Sequence, residues 1–267
     1  MIDDRAALAP FVARPAGAAV VVDFDGTLSP IVSDPGDARP IEGAVEALVD
    51  LSERLGLVAV MSGRPIEFLQ SRLPDGIVLS GLYGLEVVRA GTRVDHPGAG
   101  AWREAVADVV STSADRGPEG MVVESKGLSL TLHYRTRPEI GPAVVEWAHR
   151  QAARSGLVVR TAKMSVELHP PIAADKGTAL EGLVAGLDAV CFVGDDRGDL
   201  PAYDALDRLA VRGVHTLRVA VASSEAPDEL IARADLVLDG PPEVLAFLRR
   251  LAAATGSRQP GPPAAAS

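Results

Sequence analysis

A single cysteine in 267 residues rules out an intrachain disulfide framework, so a reducing cytoplasm is the expected compartment. That residue, Cys191, lies in the apolar run AVCFV and reads as a small core side chain. Cations are also scarce: 26 Lys and Arg stand against 36 Asp and Glu, a net charge of −10. Such a balance argues against nucleic acid or an anionic membrane as a partner, though a local cluster of cations would still accept an anionic small molecule. No uninterrupted apolar run is long enough to span a bilayer. At the amino terminus MIDDRAALAPFVARP has early acids and no continuous apolar segment, so neither signal peptide nor anchor is expected. Repeats of solenoid type are absent too. What remains is ordinary globular material, 47% hydrophobic and 23% charged, of a length for one large domain or two smaller ones.

The stretch AVVVDFDGTLSP organises the chain. Ala19 to Val22 are apolar and mostly β-branched, which predicts a fully buried strand. Asp23 and Asp25 follow at its carboxyl end, where open parallel sheets bind ligands, and Gly26 allows a tight exit. Two acids so close repel unless a cation or proton lies between them. A plain strand-to-turn boundary would use the same residues. An EF-hand loop is excluded, because Leu28 stands where its sharp turn requires glycine.

Further strands are predicted at Leu57–Met61 and Gly76–Leu79, with helices over Glu42–Leu55 and from Ile66, then a hairpin in LEVVRAGTRVD. Strands alternating with helices predict a doubly wound, mostly parallel α/β sheet. After His96–Gly100 the pattern changes to helix, hairpin, helix, hairpin, an inserted smaller α+β unit with one polar sheet face. In its first hairpin Ser129, Thr131, His133 and Arg135 alternate against Leu128, Leu130, Leu132 and Tyr134; its second puts Ser165, Glu167 and His169 on one face. From Asp175 the strand–helix alternation resumes, with a strand at Ala189–Val193 closing on Gly194-Asp195-Asp196-Arg197-Gly198-Asp199. The expected division is therefore a core of residues 1–98 and 172–255, a cap of 99–171, and a disordered tail of 256–267.

Polar groups thus gather at the ends of β-strands or helices: Asp23/Asp25, Ser62/Arg64, Lys176, and Asp195/Asp196/Asp199. Acids in the first and last sets suit Mg2+, which takes carboxylate, carbonyl and water ligands. Ser62 and Lys176 suit phosphoryl oxygens, and a carboxylate nucleophile beside them suits phosphoryl transfer.

In this order DFDGTL, MSGR, the lysine of ADKGTAL and GDDRGD resemble the four motifs of the haloacid dehalogenase superfamily of phosphatases. The resemblance implies Asp23 as nucleophile and Asp25 as proton donor to the leaving alcohol, then as base for the hydrolytic water. It implies Mg2+ on Asp23, the Asp25 carbonyl and Asp195, supported by Asp196 or Asp199, with Ser62 and Lys176 on the phosphoryl group. Arg64 is read as a phosphate contact or a structural partner of an acid. The insert, with VESKGLSLTLHYR and KMSVELHP, is similar to that of the trehalose-6-phosphate phosphatases, as is GLYG, where that family more often has histidine before the second glycine. On that pattern Glu124, Lys126, Arg135, Lys163 and Glu167 contact the sugar. The fourth motif departs from the family's Thr-Asp-Glu continuation, which leaves the role of Asp199 open. A monomeric Mg2+-dependent trehalose-6-phosphate phosphatase is the expectation. Another sugar-phosphate phosphatase (for sucrose phosphate or mannosylphosphoglycerate) is the alternative, a silent sugar-phosphate sensor or a phosphomutase a more distant one.

Overall fold

The structure is a computed structural model and describes residues 4–32, 34–162, 164–223 and 226–256. Helix α1 (Asp4–Ala13) leads into β1 (Ala18–Asp23), then α2 (Ala44–Ser52), β2 (Leu57–Met61), α3 (Ile66–Gln70), β3 (Val78–Gly81) and the hairpin β4 (Glu86–Arg89) and β5 (Thr92–Asp95). A second unit follows: α4 (Arg103–Arg116), β6 (Val122–Ser125), β7 (Leu130–His133), α5 (Gly141–Ser155), β8 (Val158–Ala162) and β9 (Ser165–His169). The first unit resumes with α6 (Lys176–Leu183), β10 (Ala189–Gly194), α7 (Leu200–Val211), β11 (His215–Ala222), α8 (Asp228–Arg233), β12 (Leu236–Asp239) and α9 (Gly240–Gly256).

The large sheet has the order β12-β11-β10-β1-β2-β3-β4-β5, with parallel pairing throughout except β3–β4 and β4–β5, which are antiparallel. Strands β1, β2 and β10 are buried along their whole length, as continuous apolar runs flanked by helices must be. One face packs Val20, Val22, Val60 and Cys191 against α2 and α9; the other packs Val21, Ala59 and Phe192 against α6 and α7. Burial of each such Val or Phe contributes about 1.5–3 kcal/mol. The chain winds outward from β1 to β5 and later returns to β10 on the opposite side of β1. Between β1 and β10 lies the switch in winding direction, where a crevice opens beyond the strand ends.

The second sheet, β6-β7-β9-β8, is antiparallel throughout. Leu130, Leu132, Val166 and Leu168 turn to α4 and α5 and pack on Val106, Val109 and Val144. The alternate side chains form its polar face. Two expectations need correction. Gly256 was expected in the tail but closes α9, whose residues Leu251 and Ala252 are buried; 257–267 lie outside the described residues. The alternation expected to carry Arg135 onto the polar face stops at His133, because Arg137 N–H donates to the Tyr134 carbonyl in a turn and Arg135 is exposed there. Among the described residues, no helix is long and apolar enough to cross a membrane.

Candidate active site

The register of the central strands lines up their carboxyl ends. Asp23 of β1 pairs with Met61 of β2, and Val22 with Val193 of β10, so Asp23, Ser62 and Asp195 emerge side by side. Lys176 comes from the first turn of α6, whose start is fixed by Asp175: its carboxylate accepts Thr178 N–H at 2.7 Å while Thr178 Oγ1 accepts Asp175 N–H. That cap aims the ammonium inward, where it pairs with Asp23 Oδ1 and with Asp199 Oδ1 at 2.5 Å. Asp199 is fully buried, and its other oxygen accepts the Asp195 and Asp196 backbone N–H groups at 2.9 and 3.0 Å. The acid left open by the sequence therefore orients the lysine and braces the turn that carries Asp195.

Asp23, Asp195 and Asp199 each bring a carboxylate oxygen to within 4.8 Å of one another. Three buried carboxylates facing one ammonium leave two negative charges, the charge of one divalent cation, so the donor set fits a hard metal ion. Protonation energetics agree. Burial, then the neighbouring Asp199 and Asp196, pushes Asp195 up to about 7. Burial also raises Asp23, against the pull of Lys176. It opposes the charge on Lys176, but Asp199 and Asp23 outweigh it and hold the ammonium well above its ordinary value. Gly26, at φ +82°, is needed here: a Cβ would stand 2.0 Å from Asp195 Oδ2. Thr27 Oγ1 donates to Asp195 Oδ1 at 3.1 Å, completing the link between first and last strand ends.

Asp25 points away from this cluster to Arg64, which donates to both of its oxygens at 2.8 Å. Arg64 therefore holds an acid in place from within the cleft. Its loop is itself braced: Leu82 N–H donates to the Arg64 carbonyl and Tyr83 N–H to that of Ser62, while the Glu86 carboxylate accepts Ile66 N–H at 2.9 Å. The turn that does this puts Leu82 and Tyr83 in left-handed backbone conformations, at φ +48° and +58°.

A cleft of about 220 Å3 joins the strand ends to the polar face of the second sheet. Asp23, Asp25, Ser62, Arg64, Lys176 and Asp196 line one side, and Glu124, Lys126, Thr131, His133, Ser165 and Glu167 the other. Glu167 is buried and accepts from Ser129 Oγ at 2.9 Å, with Lys126 Nζ 3.7 Å away. The hydrogen bond from His133 Nε2, at 2.7 Å, draws Glu124 below the ordinary range of a glutamate. Tyr83 stands in the wall between the two sides, its phenol pushed up to about 12 by burial and by Glu167, with Arg160 over its ring at 4.6 Å. Asp195 and Asp199 lie beneath the cleft floor, 2% and 0% exposed.

Of the residues expected from the sequence, the structure brings together all but two. Arg135 is exposed and does not line the cleft, and Lys163 lies outside the described residues. Of the two histidines on the polar faces, His133 enters the cleft and His169 does not; its Nδ1 is 2.9 Å from the Pro170 carbonyl oxygen. Thr27 and Tyr83 carry no expected role in the sequence, and Thr131 only a place on the polar face of its hairpin. The cross-chain contact of Thr27 leaves no local pattern, whereas Tyr83 was signalled by its place between the two glycines of GLYG.

The chain matches the family model described as trehalose-phosphatase over residues 21–234. A trehalose-phosphate phosphatase of Mycobacterium avium (strain 104) is 35% identical over 246 residues, covering 88% of this chain and 62% of that protein. Thus the chain spans about 62% of the length of the curated relatives it matches. Among solved structures, a trehalose-6-phosphate phosphatase related protein superposes with a TM-score of 0.75 at 22% identity, covering 88% of this chain and 97% of the other. The C-terminal domain of C. albicans trehalose-6-phosphate phosphatase gives 0.73 at 22% identity, covering 94% and 97%. These two likenesses carry the fold, and the sequence match carries the kinship: the chain belongs to the trehalose-phosphatase family.

Proposed function

We propose that this protein is an Mg2+-dependent phosphatase that hydrolyses trehalose 6-phosphate to trehalose and inorganic phosphate through an aspartyl-phosphate. One observation carries the reading: a buried carboxylate–lysine cluster and a face of sugar-binding character line the same cleft. Residues 1–98 and 172–255 act as the catalytic core and 99–171 as the cap.

Asp23 attacks phosphorus in line, the bond to the sugar oxygen breaks, and Asp25 gives its proton to that oxygen. Both Asp25 oxygens accept from Arg64, so this transfer requires that pair to open and Asp25 to turn to the leaving oxygen. Asp25 then takes a proton from the water that attacks the phosphoryl group, and Asp23 is released with inorganic phosphate. Ser62 and Lys176 offset charge on the equatorial oxygens in a site with little water, and Asp199 keeps the lysine there. Asp23 and Asp195 would hold Mg2+, which when bound supplies further positive charge beside the transferring group. Glu124, Lys126 and Glu167 hydrogen-bond the sugar hydroxyls, as charged groups do strongly once water is excluded. The buried Cys191 thiol, pushed up by burial, fits a reducing cytoplasm, and the enzyme works as a monomer, which sedimentation would test.

The deciding measurement is phosphate release from trehalose 6-phosphate against sucrose phosphate, mannosylphosphoglycerate and glucose 6-phosphate, with and without Mg2+. Trehalose 6-phosphate is expected to be turned over at least about tenfold better than the rest, and only with the cation. Equal rates across the panel would defeat the assignment of substrate, and full activity in chelator the assignment of metal.

A further inference from the structure

One row of side chains crosses the polar face of the second sheet at right angles to its strands. Glu124 on β6 pairs with Thr131 on β7, Thr131 with Glu167 on β9, and Glu167 with Arg160 on β8. Directly opposed residues of antiparallel strands point to one face, so these four form a single line. Both carboxylates in the line are engaged, Glu124 with His133 and Glu167 with Ser129. Thr131 between them is different. It is 4% exposed, it lines the cleft, and its Oγ1 has no hydrogen-bond partner among the described residues.

A buried hydroxyl without a partner weakens the fold, and valine would fill the same space without that cost. β7 lies between β6 and β9, so the backbone around Thr131 is paired on both sides. The hydroxyl, able to donate once and accept twice, is therefore free to serve something that enters the cleft.

We propose that Thr131 is a specificity-determining residue whose Oγ1 hydrogen-bonds a hydroxyl of the leaving sugar. The inference rests on the phosphatase reading above and adds to it a neutral contact in the middle of the charged row. A site built to pair with a sugar hydroxyl discriminates against substrates lacking one, because its own polar group then stays unpaired.

The test compares wild type, Thr131→Val and Thr131→Ser on trehalose 6-phosphate and on p-nitrophenyl phosphate, with thermal unfolding of each. In Thr131→Val the ratio of kcat/KM for the sugar phosphate to that for the aryl phosphate falls about tenfold, the size of one hydrogen bond. Its Tm equals or exceeds that of wild type, since an unpaired buried hydroxyl is gone. Thr131→Ser restores most of the ratio. An unchanged ratio in Thr131→Val overturns the proposal, as does a drop in Tm with equal losses on both substrates, which marks a purely structural hydroxyl. Should wild type hydrolyse the aryl phosphate but not the sugar phosphate, the substrate assignment itself fails and takes this proposal with it.

Discussion

Lys176 is shared between two acids of different duty, Asp23 and Asp199. Replacing Asp23 by Asn removes the proposed nucleophile but leaves the lysine its second partner. Turnover should fall at least about a thousandfold. Folding should survive, with a Tm at or above wild type without cation, because burial already disfavours a charged Asp23. Phosphate release and calorimetry on one preparation would check both, and a collapsed Tm would show that Asp23 is structural instead. Asp195 adds a pH dependence. Its carboxyl, raised to about 7 by burial and nearby acids, keeps a proton that the unfolded chain releases near pH 4. Between those values the unfolded state binds fewer protons, so the cation-free protein loses stability as pH rises, by about 4 kcal/mol at most. On the proposed metal role, added Mg2+ would bind the ionised form and should raise Tm more at pH 8 than at pH 5; equal increments at both pH values would count against Asp195 as a ligand.

Among the elements, β6, β7 and β9 align the cap-side groups, and Glu167 is central to them. Glu167→Ala should lower kcat/KM for trehalose 6-phosphate at least about tenfold more than for a small aryl phosphate. Equal losses would remove this sheet from the specificity argument. Some destabilisation, about 1–3 kcal/mol, should accompany it, since Ser129 loses its acceptor. This is also the scale at which the sequence was most and least readable. The ends of β1, β2 and β10 were legible, because fully buried parallel strands are unbroken apolar runs and stop where polar residues begin. Arg135 was misplaced because alternation cannot say where a strand gives way to a turn. The bracing of the Ser62–Ile66 loop by Leu82, Tyr83 and Glu86 was illegible for another reason: it depends on backbone hydrogen bonds between distant segments and on left-handed residues that are not glycine. The link of Asp199 to both Lys176 and the 195–196 backbone was likewise beyond a motif reading.

Across the whole molecule the two sheets meet around Tyr83 and are joined by the segments after β5 and after β9. Leu128 of the second unit packs with Leu82, Leu85 and Ala99, and Ile172 and Ala174 close against them, an apolar pivot beneath the cleft. A cavity of about 320 Å3 beside that pivot, lined by His96, Ala173 and Ala174, leaves room for the joining segments to shift. Closure of the second unit, the proposed cap, on the first is therefore predicted when a substrate-sized inhibitor and Mg2+ are present, as a decrease in radius of gyration by small-angle scattering. No compaction under saturation would argue for a cleft preset in its working shape.

Asp23 and the ammonium of Lys176 that pairs with it are separated by 153 positions along the chain, with the entire antiparallel unit threaded between them. During synthesis the acidic strand end emerges early and waits, uncompensated, until residue 176 leaves the ribosome. A nascent or prematurely terminated product ending inside the insert would therefore carry Asp23 without its ammonium partner and, on the proposed mechanism, would be inert. Competence arrives late and at one stroke, when the returning polypeptide docks its lysine.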